Sequence, residues 1–151
     1  MQIKDIMIRE VITVTPESTI NEVALLLRKH RLHGIPVIDE ERKVVGIVTE
    51  SDFFLKDHNF FYLPTYIEMV KEGTPAPEEM GGDGQIERFF KATTKDIMTK
   101  DCVTLPEVAT IEDLVTVVKR YHYITFPVTD YQNTLVGVVT LVDALKYLGQ
   151  Q

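Results

Sequence analysis

The chain has 151 residues, 44% of them hydrophobic, and carries 16 basic against 23 acidic side chains for a net charge of −7. That surplus repels nucleic-acid phosphates and anionic lipid, so neither a nucleic acid nor a membrane surface is an expected partner. The single cysteine, Cys102, excludes an internal disulfide and a CxxC metal site, and the absence of a signal-like opening or of an apolar run near the ~20 residues of a membrane span predicts a soluble, cytoplasmic protein.

In chain order, Val11-Ile12-Thr13-Val14 is β-branched and stops at Thr15-Pro16, which predicts a short strand. Thr19 and Glu22 form a capping box, and Ile20, Val23, Ala24 and Leu27 fall on one helical stripe. Gly34 is placed to end that helix as the residue beyond its cap. Ile35 to Ile38 predicts a strand, Asp39-Glu40-Glu41 a turn, Lys43 to Val48 a second strand, and Ser51 to Lys56 the start of a helix. The order is β-α-β-β-α.

Residues 56–92 have no counterpart in this pattern. Phe60-Phe61-Tyr62-Leu63-Pro64 is followed by a helix-like Thr65 to Lys71 and by loop composition at Gly73 to Pro77 and Gly81 to Gly84. A helical excursion with a flexible crossover accounts for it, and so does a lid or dimerisation element built on the aromatic cluster. The segment lacks the spaced carboxylates of a calcium loop.

The first unit then recurs. Lys4-Asp5-Ile6-Met7 returns as Lys95-Asp96-Ile97-Met98, and the same offset carries Pro36-Val37 onto Pro127-Val128, Thr49 onto Thr140 and Asp52 onto Asp143. Thr110 with Asp113 caps the second helix, whose stripe is Ile111, Leu114, Val115 and Val118. Tyr131-Gln132-Asn133 is the hairpin turn, and Leu135 to Val139 the last strand. The organisation is repeat 1–55, insert 56–92, repeat 93–151, an α+β fold of two β-α-β-β-α units. One such unit buries too little surface to stand alone, so the two are expected to share their packing.

Both repeats close on Gly-h-h-Thr-x-x-Asp, where h is apolar: Gly46-Ile47-Val48-Thr49-Glu50-Ser51-Asp52 and Gly137-Val138-Val139-Thr140-Leu141-Val142-Asp143. A hydroxyl and a carboxylate three residues apart at a strand-to-helix turn face one cleft, and a carboxylate there can accept hydrogen bonds from two vicinal hydroxyls such as those of a ribose. One copy alone reads as a helix cap. Two copies at matching places in two repeats point toward a ligand.

These features together resemble the CBS domain family. The Asp-Ile-Met opening, the x-Pro-Val strand and the Gly-h-h-Thr-x-x-Asp close each match twice, in order, over both repeats and not over the insert. The resemblance implies a pseudo-twofold pair, called a Bateman module, with two composite clefts for an adenine nucleotide (AMP, ADP or ATP) or S-adenosylmethionine. Carried over, one site would use Ile47, Thr49, Ser51 and Asp52 with Met98, Ile124, Thr125 and Pro127. The other would use Val138, Thr140 and Asp143 with Met7, His33, Gly34 and Pro36. His33 stands where similar modules place a phosphate-binding basic residue, and Ile124 departs from that pattern. Arg28, Lys29, His30 and Arg31 complement the dipole of the first helix.

The family implies a regulatory module rather than an enzyme, signalling to a separate protein target, or else a structural dimerisation module with empty sites. No nucleophile–base pair, HExxH, P-loop or GxGxxG occurs: Ser18 and Ser51, the only serines, sit at cap-like positions. Similar modules pair through the helices ending each repeat. Phe53, Phe54 and Leu55, and Ala144, Leu145 and Leu148, are expected on those faces, so a homodimer is predicted.

Overall fold

The computed structural model describes residues 1–53 and 91–149. A 3-10 turn, Ile3–Asp5, leads into α1 (Ile20–Lys29), β1 (Gly34–Ile38), β2 (Val44–Thr49) and a second 3-10 turn, Glu50–Phe53. After the insert come α2 (Thr94–Ile97), β3 (Thr99–Lys100), β4 (Leu105–Pro106), α3 (Ile111–Tyr121), β5 (Thr125–Thr129), β6 (Leu135–Thr140) and α4 (Leu141–Leu148). They build two three-stranded sheets, β1-β2-β3 and β4-β5-β6. The predicted helix-like Thr65 to Lys71, Phe54 and Leu55 lie outside the described residues. Among those described, no helix is long and apolar enough to cross a membrane.

The repeats exchange their leading segments. β3 belongs to the second repeat in sequence but pairs antiparallel with β2 of the first, Ile47 opposite Thr99. Ile8 of the first repeat pairs with Val138 of the second, through N–H···O bonds of 2.8 and 2.9 Å in the two directions. The two hydrophobic cores follow the same exchange. The core of Val14, Ile20, Val23, Leu27, Ile35, Val37, Val48 and Phe53 is covered by Ile97 and Met98, whereas Ile3 and Met7 pack into the core of Leu105, Leu114, Phe126, Val128 and Val139. On the pseudo-twofold axis the equivalent residues Lys43 and Thr134 bridge directly, and Lys43 Nζ donates to the Gln132 carbonyl at 2.6 Å.

The exchange explains the motif glycines. A Cβ on Gly46 would lie 2.7 Å from the Thr99 carbonyl oxygen and 3.0 Å from Met98 Sδ; on Gly137 it would lie 2.7 Å from Met7 Sδ and 2.9 Å from the Ile8 carbonyl oxygen. The methionine that ends Asp-Ile-Met in one repeat therefore crosses the glycine that opens Gly-h-h-Thr-x-x-Asp in the other. Two motifs far apart in sequence are the two sides of one contact.

Both long amphipathic helices form as their capping boxes direct. Thr19 Oγ1 accepts from Glu22 N and Thr110 Oγ1 from Asp113 N, both at 3.2 Å. The Thr110 backbone N–H on the Asp113 carboxylate, joined by the Thr110 hydroxyl, holds that carboxyl below its usual range. Four predictions of local structure are corrected. Val11–Val14 is not a strand: only Val14 pairs, parallel to Val37. The next rung would need an N–H from Pro36, which has none, and Pro127 shortens β4 in the same way. Gly34 does not end α1. The chain turns at His30 and at Arg31, whose φ of 52° is left-handed, with Arg31 N–H bonded to Arg28 and Leu32 N–H to Leu27; Gly34 is the first residue of β1. Phe53 (1% exposed) and Ala144 (2%) are core residues rather than parts of an exposed face. Cys102, which as a lone cysteine reads as a small buried apolar residue, is only half-buried.

Candidate ligand-binding cleft

A cleft of about 540 Å³ opens between the repeats, within the ~300–1,000 Å³ usual for small-molecule sites. Its first wall is the C-terminal end of β2 and the turn that follows: Ile47, Thr49, Glu50, Ser51 and Asp52, with His33 beside them. Its second wall comes from the other repeat, with Thr99, Cys102 and Val103 after α2 and the consecutive run His122, Tyr123, Ile124 and Thr125.

The first wall is polar and ordered by its own hydrogen bonds. Asp52 Oδ2 accepts from the Thr49 backbone N–H at 2.7 Å and from its hydroxyl at 3.2 Å, and Thr49 Oγ1 lies 2.8 Å from Ser51 Oγ. The carboxylate thus starts the 3-10 turn and presents a hydroxyl–carboxylate edge to the cleft. His33 Nδ1 lies 2.7 Å from Glu50 Oε1, which fixes the imidazole across the same wall.

The second wall is largely apolar, and its shape is set by the end of α3. His122, the C-cap, adopts a left-handed conformation (φ 58°), which turns the chain from helix to strand and brings the three residues after it to the cleft. Tyr123 is held between Tyr121, stacked at 6.0 Å and 14°, and Phe126 at 6.3 Å. Arg120 lies over the Tyr121 ring at 5.4 Å. Burial pushes the Cys102 thiol up to about 11, with the Asp101 charge adding to it against a backbone hydrogen bond, so the sulfur stays protonated and adds no charge to the wall.

Of the residues predicted for this site, Ile47, Thr49, Ser51, Asp52, Ile124 and Thr125 share the cleft. Met98 and Pro127 are not on its wall: Met98 packs over Gly46, and Pro127 is buried in β5 opposite Val138. His33, grouped with the second site, lines the first cleft instead. The rest of that second group is spread over the exchange contact. Met7 is buried over Gly137, Val138 spends its backbone groups on Ile8, Gly34 pairs with Thr49, and Pro36 pairs with Ile47 and accepts from Val14. Thr140 and Asp143 form a complete capping box for α4, with Asp143 Oδ2 accepting from Thr140 N at 2.8 Å and Oγ1 at 2.7 Å.

Glu50, Thr99, Cys102, Val103, His122 and Tyr123 were missed. Glu50, Thr99 and Tyr123 are chain neighbours of predicted residues, Cys102 and Val103 follow a few positions after Met98, and His122 stands two before Ile124. The signal was contiguity, since a cleft lined by turns takes successive side chains where a strand would alternate them. Among the described residues no group of three or more His, Cys, Asp or Glu side chains is placed to hold a metal ion.

The CBS domain family matches residues 3–58 and 95–150. The chain is 28% identical to inosine-5′-monophosphate dehydrogenase of Methanocaldococcus jannaschii over 142 residues, which covers 94% of this chain but only 22% of that enzyme. Among solved structures, the CBS domain pair of protein MJ0100 in complex with 5′-methylthioadenosine and S-adenosyl-L-methionine superposes with a TM-score of 0.69 at 25% identity, covering 99% of this chain and all of that one. CBSX2 in complex with AMP gives 0.73 at 20% identity over 99% and 97% of the two chains, a likeness of fold. Two family matches, a matching tandem architecture and the exchanged leading segments agree: this chain belongs to the CBS domain family, as a pair of CBS domains.

Proposed function

We propose that this CBS pair binds an adenosyl ligand between its repeats and passes its occupancy to a separate protein target. The observation that carries the reading is the Thr49–Ser51–Asp52 edge facing the apolar Val103, Tyr123 and Ile124 across one cleft. A ribose needs the first wall and a purine base the second. AMP, ADP, ATP and S-adenosylmethionine are the candidate ligands, and the complexes of MJ0100 and CBSX2 support the class. Because both repeats line the cleft, occupancy bears on their packing. A target that reads the packing must in turn alter ligand affinity.

The capping geometry favours a second reading, in which Thr-x-x-Asp serves only the turn and the module is a structural one. Asp52→Asn separates the two, because an amide oxygen still accepts the cap hydrogen bond while the charge is lost. If Asp52 grips ribose hydroxyls, affinity in calorimetry falls about 10-fold, the loss of roughly 1.4 kcal/mol, with little change in melting temperature. Binding equal to wild type would leave the cap as its only role.

We also propose a homodimer. Val142, Leu145 and Leu148 are each more than half exposed along α4, an apolar stripe that the described residues leave uncovered. Light scattering at tens of micromolar should return twice the 17.3 kDa of one chain. Monomer mass alone would contradict the pairing, and Leu145→Glu should yield monomer if α4 is the seam.

A further inference from the structure

We infer that the cleft prefers adenosyl ligands whose 5′ substituent is uncharged or cationic over 5′-phosphates, and that Glu50 sets this preference; the inference rests on the adenosyl reading above. The wall carries two carboxylates, Glu50 and Asp52, and its only basic groups among the described residues are His33 and His122. No lysine or arginine lines it among those residues. His33 spends its Nδ1 on Glu50, whose Oε1 lies 2.7 Å away, so that nitrogen is not open to a ligand. Arg120 is stacked on Tyr121 and is not a lining residue.

Apart from His122, the C-cap of α3, the remaining wall is hydroxyl, thiol or apolar. Cys102 stays protonated, so it neither repels an anion nor attracts a cation. A phosphate dianion beside Glu50 and Asp52 meets like charge, with no lysine or arginine among the described lining residues to compensate it. A sulfonium or ammonium group meets opposite charge there, and a thioether meets neither cost. Glu50 is the discriminating residue because Asp52 is tied to the Thr49 cap, whereas the Glu50 side chain is half exposed and turned along the wall by His33.

The test is calorimetry of the full chain with S-adenosylmethionine, 5′-methylthioadenosine, AMP and ATP, for wild type, E50Q and E50K, with circular dichroism to confirm folding. In wild type, S-adenosylmethionine and 5′-methylthioadenosine should bind at least about 10-fold tighter than AMP or ATP. E50Q should weaken S-adenosylmethionine about 3- to 10-fold and leave 5′-methylthioadenosine within about 2-fold, while E50K should bring AMP level with 5′-methylthioadenosine. AMP or ATP binding tightest to wild type would overturn the inference and leave the adenosyl reading standing. An unchanged ratio of S-adenosylmethionine to 5′-methylthioadenosine in E50Q would remove Glu50 as its cause. Binding of none of the four would overturn the adenosyl reading itself.

Discussion

Replacing Phe126 with alanine should cost about 3–5 kcal/mol and should weaken both repeats in a single transition. Phe126 is fully buried on β5, in the core that Leu105, Leu114, Val128 and Val139 share with Ile3 and Met7. Its removal leaves a cavity that rigid β-branched neighbours fill poorly. Ile3 and Met7 belong to the other repeat, so loss of this core also frees the first repeat's leading segment. For a chain of this length the melting temperature should drop by roughly 6–20 °C. Urea unfolding followed by far-ultraviolet circular dichroism and by tyrosine fluorescence should give coincident curves. Two separated transitions, with the one from the first repeat unmoved, would show that the repeats are energetically independent.

Gly137→Val should be nearly as severe, at roughly 3 kcal/mol, the upper part of the usual range for overpacking. The first added carbon would stand 2.7 Å from Met7 Sδ and 2.9 Å from the Ile8 carbonyl oxygen. The sulfur can swing away, but the carbonyl cannot, because Ile8 is held by both hydrogen bonds to Val138. Hydrogen exchange should therefore show Ile8 and Val138 losing protection together. Gly34→Ala is the control: its added carbon would meet side-chain ends of Ile47 and Thr49 at 3.3 and 3.4 Å, contacts that can give, so its cost should stay near 1 kcal/mol or below. A Gly137→Val protein that melts with wild type would mean that the glycine is not required by the crossing segment.

The repeat, its capping boxes and the helix stripe of Ile20, Val23, Ala24 and Leu27 were all legible in the sequence, because each depends on residues within a few positions of one another. The glycine–methionine crossing was not, although both of its motifs were in plain view. Met98 and Gly46 stand 52 residues apart and Met7 and Gly137 130 apart, and only the fold brings each methionine onto its glycine. The short first strand failed for a similar reason. Val11 to Val14 has every local property of a strand, and the limit is imposed by a proline more than twenty residues later. At the cleft, Thr49 and Asp52 could be named because the motif repeats, and Ser51 from the family resemblance alone. Tyr123 and His122 owe their places to the left-handed turn at the end of α3, so only their nearness to Ile124 in the chain pointed to them.

The exchanged leading segments also constrain how the protein is made. As the chain leaves the ribosome, the first repeat emerges with β2 as a bare edge, since the strand that covers it, Thr99–Lys100, has not yet been synthesised. Ile3 and Met7 wait likewise for a core translated later. The first repeat cannot finish folding by itself, however fast its helices form, and the β-branched edge from Val44 to Thr49 is open to pairing with other nascent chains until then. The forty residues between Asp52 and Thr93 are thus also a delay, and lengthening or slowing their translation would extend the interval in which that edge must be shielded by something else.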